Sequence, residues 1–448
     1  MESRHVRGLL DALFSTERMS AIFSDRATVQ AMLTFERALA LANARVGLIP
    51  THAAEVIAQQ CDAQAYDLDA LARGAPSAGN LAIPLVQALT DATAKVDADA
   101  ARYVHWGATS QDVIDTGLVL QMRDGLAIIG EELAALTAGC ERLAREHATT
   151  VMAGRTWLQQ ATPITFGLKV AGWLSAARRS QERLRETRKR ALVLQLGGAS
   201  GSLAAFGTQG LAVATALADE LDVREPDLPW HTQRDRIVEV ATTLGLLVGS
   251  LGKIARDVAL LSQTEVAEVS EPSAPGKGGS STMPQKRNPV GSAVVLAAAQ
   301  RVPNLVATLL SAMPQEHERG LGGWQAEWGA LPEIFLLTAG ALRRMVEVVS
   351  GLSVDTERMR ANLDATDGLI YAESVSMALA EHIGKQRAHH LMRDASERAR
   401  VEGRPLRDIL ASDADITQYL SSADLDRAFD PLQASGLAET LVKRMLDG

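Results

Sequence analysis

The residues best suited to chemistry lie in one short run, GSSTMPQKRNP, between Gly279 and Pro289. The run places two serine hydroxyls, a lysine and an asparagine between glycines and prolines. Because each proline removes a backbone donor and clashes with the preceding turn, the run is predicted to be a loop rather than a core helix. Loops that concentrate such side chains are more often functional than structural, since packing does not require them there. The candidate functional residues are Ser280, Ser281, Met283, Lys286 and Asn288.

The run resembles the signature GSSxMPxKxNP of the fumarase/aspartase superfamily, whose members carry it on a mobile loop over an active site. All of the fixed positions of the signature match. The resemblance implies that Ser280 handles the proton alpha to a substrate carboxylate, with Ser281 as the alternative. A free serine is a poor base, so the surroundings of Ser280 would have to activate its hydroxyl. Met283 would contact the substrate.

Lys286 and Asn288 are hydrogen-bond donors that would face the negative charge developing on the substrate. Positioned donors of this kind are worth roughly 100- to 1,000-fold each in rate. The resemblance therefore implies that both residues stabilise the dianionic aci-carboxylate intermediate. The alternative for Lys286 is a solvated loop charge.

A second region, HWGATSQDVIDTG (105–117), resembles the stretch with which the superfamily hydrogen-bonds substrate carboxylates. Its substrate-binding candidates are His105, Thr109, Ser110 and Gln111. The alternative is an ordinary helix N-terminus, since Thr109 or Ser110 before Asp112 would make a good cap. Both interpretations can hold together, because a helix N-terminus with free amides and hydroxyls is itself an anion site.

A third region, GRTWLQQATPITFG (154–167), resembles the GRTHxQxA stretch of the adenylosuccinate and argininosuccinate lyases. Its substrate-binding candidates are Thr156, Trp157 and Gln159. Trp157 departs from the pattern, because those lyases have a histidine there that serves as the general acid or as its close partner. The glutamate that usually pairs with this histidine, four residues after the final proline of the signature, is Ala293 here. Both members of the pair are missing.

The loss of both partners indicates a reaction that does not need this proton donor. An amine leaving group has a conjugate acid with a pKa of about 10, whereas a carboxylate leaves as a base with a pKa of about 4. General acid catalysis, typically worth about 100- to 10,000-fold, brings no benefit to so weak a base. The sequence therefore resembles the cycloisomerase branch of the superfamily, which acts in protocatechuate breakdown.

In that branch a carboxylate of 3-carboxy-cis,cis-muconate adds across its own double bond to give 4-carboxymuconolactone. The resemblance implies a small tricarboxylate as the substrate. Two rivals stay open: an adenylosuccinate-type lyase that uses a different acid, and a catalytically silent structural member of the superfamily.

Two arginines are candidates for binding substrate carboxylates. Arg234 in HTQRD and Arg319 in HERG match arginine-containing segments of the superfamily. An arginine grips a carboxylate with two parallel hydrogen bonds, as a polyanionic substrate requires. For Arg234 the alternative is an ion pair with Asp235 or with a neighbouring helix. The remaining histidines do not cluster with carboxylates at metal-binding spacing, so we expect neither a metal nor an organic cofactor.

Long helices must position these regions. Apolar residues recur at helical spacing over 113–146, 164–193, 242–269 and 294–313, with a kink expected at Pro303. No convincing alternating strand series lies between these patterns, so the sequence predicts an all-α fold with a long-helix bundle.

The resemblance adds a domain organisation and an assembly to this helical prediction. It implies three helical domains, an N-terminal domain at 1–111, a central bundle carrying the signature loop at 112–353, and a C-terminal domain at 354–448. It also implies a homotetramer whose core is formed by the bundle helices. Each active site would draw on three subunits.

Composition excludes several other classes of protein. A net charge of −9 over 448 residues argues against a nucleic-acid binder, which would show a basic face to the phosphates. Two cysteines, Cys61 and Cys140, give neither a disulfide framework nor a zinc site and fit a reducing compartment. The first 20 residues lack the uninterrupted apolar stretch of a signal peptide, so we expect a cytoplasmic protein. The most apolar run, 290–299, is about half of the roughly 20 residues that a membrane span needs.

Overall fold

The computed structural model describes residues 8–273, 278–279, 283 and 286–448. Over these residues the chain is predominantly helical, which confirms the predicted fold class. The N-terminal part contains α1 (Asp11–Phe14), α2 (Glu17–Ile22), α3 (Asp25–Arg45), α4 (Thr51–Gln59), α5 (Leu68–Ala78) and α6 (Ala82–Val96). Polar caps fix where helices begin, because a side-chain oxygen satisfies an amide that the first turn leaves unpaired. The Ser24 hydroxyl, for example, accepts the Ala27 amide proton at the start of α3.

The longest helices follow in the central part of the chain. They are α7 (Ser110–Glu146), α8 (Phe166–Ala191), α10 (Asp235–Leu261), α11 (Val290–Ala312) and α12 (Gly323–Ser350), with the shorter α9 (Gly210–Leu221) among them. Four of these correspond to the predicted long helices, and α11 continues through Pro303. The bounds of α10 differ from its apolar periodicity, since the helix begins at Asp235 and ends at Leu261. The periodicity does not predict α12, which contains Pro332.

Two antiparallel strand pairs correct the expectation of a chain without strands. β1 (Val151–Thr156) pairs with β2 (Gln159–Thr165), and β3 (Val269–Ser270) pairs with β4 (Ser353–Val354). Ile164 therefore belongs to β2, and α8 begins at Phe166. The register of the first pair shifts between Ala153 and Arg155, so a bulge interrupts the alternation from which a strand would be predicted.

Eight shorter helices form the C-terminal part. They are α13 (Thr356–Asp364), α14 (Ala372–Ile383), α15 (Lys385–Glu402), α16 (Leu406–Ala411), α17 (Ala414–Thr417), α18 (Ser422–Ala428), α19 (Pro431–Ala434) and α20 (Ala438–Asp447). Several of them share one hydrophobic cluster that includes Val375, Leu379, Met392, Leu406 and Leu410. Burial of these side chains holds the short helices together, since isolated helices of this length are marginal in water.

The chain divides into two compact units, each made of separate stretches of sequence. The first unit comprises the described residues up to 133 together with 180–251 and 294–343, and the second comprises the described residues of 134–179, 252–293 and 344–448. The core of the first unit is built around α3, whose Phe35 and Leu39 share a cluster with Leu85, Leu89 and Phe206. Because this division follows contacts rather than chain order, the three sequential domains stay a prediction.

Candidate active site

The start of α7 carries one group of predicted site residues. The Thr109 carbonyl accepts the Asp112 amide at 3.0 Å, and the Thr109 amide donates back to Asp112 Oδ2 at 3.0 Å. Thr109 therefore precedes the first turn, with Ser110 as the first helical residue and Gln111 buried behind it. The helix begins here, as the helix N-terminus interpretation requires, while the substrate-binding roles of these residues stay a prediction.

A glycine loop, residues 197–201, is tied to this helix start by a buried carboxylate. The amides of Gly197 and Gly198 donate to the two oxygens of Asp112, each at 2.9 Å. His231 Nε2 lies 2.7 Å from Asp112 Oδ1. Gly198 has φ +67°, a conformation that glycine adopts without strain. This loop was not predicted, although its glycine-rich sequence, LGGASGS, is typical of a turn.

Arg319 lies beside the same glycine loop. Its Nη2 donates to the Ala199 carbonyl at 2.9 Å, and the residue is half-buried. The structure thus places Arg319, the glycine loop and the start of α7 within one connected set of contacts in the first unit. This arrangement suits the predicted role of Arg319 in holding a carboxylate.

Arg234 is fully buried, and its N–H groups are all engaged by the protein. They donate to Asp115, Glu327 and the His231 carbonyl over distances of 2.5 to 3.5 Å. The partners match the ion-pair alternative, although they are Asp115 and Glu327 rather than Asp235. Arg234 has no N–H left for a substrate carboxylate in this geometry, which disfavours the predicted binding role.

The buried charges of this cluster shift the pKa values of Arg234 and Glu327. Burial alone lowers the pKa of Arg234, but the carboxylates of Asp115 and Glu327 raise it overall. Burial raises the pKa of Glu327 above its ordinary range, and Arg234 opposes this shift in part. The guanidinium therefore stays charged and holds two buried acids together.

His105 reaches the same region from the segment before α7. Its Nδ1 lies 2.6 Å from Oε1 of Glu36, a buried carboxylate on α3. Glu36 gave no signal in the sequence analysis, because it lies far from His105 along the chain and within an ordinary apolar helix.

The third predicted region forms the β1–β2 hairpin in the second unit. Thr156 pairs with Gln159 across the tip, and Trp157 and Leu158 form the two-residue turn with φ of +54° and +65°. Trp157 is 96% exposed within the single chain. Large side chains rarely adopt positive φ, so this turn is strained.

Two contacts anchor the base of this hairpin. Arg155 donates to both oxygens of the buried Glu268, at 2.7 and 2.9 Å. Gln160 Nε2 donates to the Asn362 carbonyl at 3.0 Å. The anchored base explains how the chain sustains a strained turn at the tip.

The signature loop is described only in part, and Ser280 and Ser281 lie outside the described residues. The Lys286 amide donates to the Met283 carbonyl at 3.0 Å, and the Asn288 amide donates to the Gly278 carbonyl at 2.9 Å. The side chains of Met283 and Lys286 are exposed, and that of Asn288 is half-buried. Their assignments as substrate-binding and catalytic residues stay predictions.

Glu271 fixes the start of the helix that follows this loop. Its carboxylate accepts the Gly291 amide at 2.9 Å and both the amide and the hydroxyl of Ser292 at 2.7 Å. A carboxylate at a helix N-terminus satisfies unpaired amides and complements the helix dipole. Glu271 could not be predicted from local sequence, because it lies 20 residues before Gly291 along the chain. Among the described residues, no cluster of three His, Cys, Asp or Glu side chains has the spacing for a metal ion.

Comparison with known proteins gives matches along nearly the whole chain. Residues 14–304 match the model of a lyase family, and residues 368–445 match that of the adenylosuccinate lyase C-terminus. The chain is 55% identical to the 3-carboxy-cis,cis-muconate cycloisomerase of Pseudomonas aeruginosa, over 98% of this chain and 95% of that protein. It is 50% identical to the enzyme of that name from Acinetobacter baylyi, over 94% of each chain.

A solved structure agrees with these sequence matches. The crystal structure of 3-carboxy-cis,cis-muconate lactonizing enzyme from Pseudomonas putida superposes with a TM-score of 0.93 at 52% identity, covering 98% of both chains. The arrangement of helices described above is therefore the arrangement of a known lyase-type fold.

Replacing Arg234 by lysine tests its structural role. We expect Arg234→Lys to lower the free energy of unfolding by about 3 to 5 kcal/mol, because a single ammonium cannot satisfy two buried carboxylates. Urea unfolding at equal protein concentration measures this loss. Arg190→Lys is the control, since Arg190 pairs with Glu239 at the surface and its replacement should change stability little. Unchanged stability of Arg234→Lys with a raised KM would instead make Arg234 a substrate ligand.

Proposed function

Because the chain belongs to the fumarase/aspartase family of lyases, we propose that it interconverts 3-carboxy-cis,cis-muconate and 4-carboxymuconolactone. Two observations carry the proposal: Trp157 stands at the hairpin tip where the amine-releasing lyases have a histidine, and 98% of the chain matches a cycloisomerase at 55% identity. An indole N–H does not protonate a leaving group at neutral pH. A carboxylate leaving group does not need protonation, because it departs as a weak base.

The proposed reaction moves one carboxylate and one proton. In the lactonizing direction a substrate carboxylate oxygen bonds to the far carbon of a double bond, and the electron pair moves onto the neighbouring carboxylate. Lys286 and Asn288 stabilise this aci-carboxylate by hydrogen bonding. Ser280, or Ser281 in its place, then delivers a proton to the alpha carbon, and solvent replaces that proton. In the reverse direction the serine, deprotonated to its alkoxide, removes the alpha proton, and the lactone C–O bond breaks to release the carboxylate.

The substrate carboxylates that do not react need donors of their own. The start of α7, with Thr109 and Ser110, and the guanidinium of Arg319 supply them in the first unit. Thr156, Trp157 and Gln159 on the β1–β2 hairpin are further candidates for contact with the substrate. We assign these residues to binding rather than to proton transfer.

We also propose that the active form is a homotetramer whose sites draw on three subunits. By length and composition α10 and α11 resemble membrane-spanning helices, but the most apolar 18-residue window of α10 is 56% buried and that of α11 is only 28% buried. The exposed side of α11 also carries Gln300 and Arg301, and Arg301 pairs with Glu333. A helix with this mixed surface suits another protein chain better than lipid.

A groove beside α11 supports a second copy of this chain as the partner. Small residues line it where α11 meets the start of α12: Asn304, Ala307, Thr308, Ser311, Ala312, Gly322, Gly323 and Ala326. Small side chains let a helix of a second copy approach closely. We further propose a cytoplasmic location, which the two buried free thiols, Cys61 and Cys140, support.

Turnover of 3-carboxy-cis,cis-muconate tests the proposed function. We expect the purified protein to remove the ultraviolet absorbance of the diene, because lactonization breaks the conjugation. Ser280→Ala should reduce kcat far more than it weakens binding, and equal losses would make Ser280 a binding residue. Cleavage of adenylosuccinate with no loss of diene absorbance would favour the purine lyase, and no activity on either compound would favour the silent structural protein.

Restoring the histidine of the related lyases tests the leaving-group argument. We expect Trp157→His to bring no gain in lactonizing activity, because this reaction lacks no acid. The measurement is kcat/KM for 3-carboxy-cis,cis-muconate in the variant and the wild-type protein. A substantial gain in the variant would show that a proton donor had been missing.

A charge on the exposed side of α11 tests the assembly. We expect Ala307→Glu to reduce the particle mass in solution and to abolish activity, because burying an unpaired carboxylate in an interface is strongly unfavourable. Light scattering coupled to size exclusion measures the mass. Ala361→Glu adds the same charge to an exposed position of α13 and should change neither property. A monomeric Ala307→Glu protein with full activity would contradict the shared active site.

A further inference from the structure

The segment that leads into α7 is held from α3 by two buried polar side chains. Glu36 Oε1 lies 2.6 Å from His105 Nδ1, and Asn43 Nδ2 donates to the Trp106 carbonyl at 3.3 Å. Glu36 and Asn43 are two helical turns apart and therefore lie on one face of α3. Both are almost fully buried, so their contacts with this segment are shielded from water.

The backbone of the held segment is strained at His105. Its φ is +58°, in the left-handed region that residues other than glycine seldom occupy. Gly107 follows with φ +82°, and a Cβ there would overlap the ring of Phe206. Such a conformation persists only where surrounding contacts over-determine it, and it concentrates at functional sites. The contacts from Glu36 and Asn43 hold the backbone at His105 in this conformation.

The charge of Glu36 acts directly on the His105 ring. Burial lowers the pKa of His105, but the Glu36 carboxylate, its hydrogen bond and the charge of Asp112 together raise it above the ordinary value. Glu36 on α3 and Asp112 on α7 are the charged groups that act on this ring from the described residues. A buried carboxylate such as Glu36 is itself unfavourable without a cationic partner.

The ring has one nitrogen available for a ligand. Glu36 occupies Nδ1, while the His105 side chain as a whole retains 19% of its exposure. The adjacent start of α7 and the Arg319 guanidinium form the rest of the carboxylate-binding group in the first unit. The N–H groups of Arg234 are all engaged by Asp115, Glu327 and the His231 carbonyl. Besides Arg319, His105 is therefore the second cation in the first unit that can bind a carboxylate of a tricarboxylate substrate.

We propose that Glu36 is a positioning residue that fixes the His105 ring and keeps it as an imidazolium, so that its Nε2–H binds one substrate carboxylate. This rests on the proposed function for the identity of the substrate. His105 acts as a binding cation and not as the acid that protonates a leaving group. The proton on Nε2 stays on the ring throughout the reaction.

Glu36→Gln is the decisive variant, because glutamine keeps the size and an acceptor oxygen of Glu36 but not its charge. We expect KM to rise about 10- to 100-fold, the usual range for losing a hydrogen bond to a charged group, with kcat little changed. Binding requires the imidazolium and is lost as pH rises through the pKa of His105. KM should therefore begin to rise at a lower pH in the variant than in the wild-type protein.

Two further variants separate positioning from a general structural effect. Glu55→Gln removes the same charge from an exposed position of α4 and should leave KM and its pH profile unchanged. His105→Gln should raise KM by itself, and adding Glu36→Gln to it should raise KM no further if Glu36 acts through the ring. Independent, additive losses would instead show that Glu36 only supports the fold.

Titration of His105 by NMR in the substrate-free protein gives a readout that does not depend on turnover. We expect its pKa to be lower in Glu36→Gln than in the wild-type protein. Identical titration curves, or a fall in kcat at constant KM, would overturn the proposal. If the wild-type protein fails to convert 3-carboxy-cis,cis-muconate, the proposed function fails, while the NMR curves still decide whether Glu36 maintains the charge of His105.

Discussion

The carboxylate of Asp112 is the contact on which the candidate site of the first unit depends. Its two oxygens accept the amides of Thr109, Gly197 and Gly198 and face the ring nitrogen of His231. A buried carboxylate is tolerated where such donors replace water, because its desolvation would otherwise be very unfavourable. The donors come from three separate stretches of the chain. One side chain thus fixes the helix start, the glycine loop and His231 relative to one another.

A second cluster of buried charged side chains, which contains two carboxylates, lies one turn further along α7. Asp115 and Glu327 share the guanidinium of Arg234, and Asp112 lies close by in sequence on the same helix. Two carboxylates share one guanidinium, so this cluster has no positive charge left for an anionic substrate. The site therefore needs cations outside this cluster. His105, whose pKa Glu36 and Asp112 raise against the effect of burial, and the half-buried Arg319 are the candidate cations, while Arg234 is the counterion of Asp115 and Glu327.

Features that depend on residues close together in sequence were predictable. The start of α7 and the existence of α7, α8, α10 and α11 follow from local composition and periodicity, although α11 begins at Val290 rather than at 294 and α12 was not predicted. Contacts between distant residues were not predictable, because no local pattern records that Glu36 meets His105 or that Arg234 meets Glu327. The β1–β2 hairpin was not predicted for a different reason. Its bulge breaks the alternation of apolar and polar residues that marks a strand, and its turn lacks the glycine or asparagine that usually adopts positive φ.

The turn at Trp157 links that unpredicted geometry to the chemistry. Two large apolar side chains occupy a strained turn and are exposed in the single chain, which is unfavourable both for the backbone and for the solvent around them. The hairpin base is anchored by Arg155 and Gln160, so the strain is maintained rather than relaxed. A histidine at this tip would bring a proton donor to whatever the tip contacts, whereas Trp157 brings an apolar surface that excludes water. Exclusion of water favours a reaction that expels a carboxylate, because hydrogen bonds to the developing charge are stronger in a dry environment. Such a leaving group does not need to be protonated.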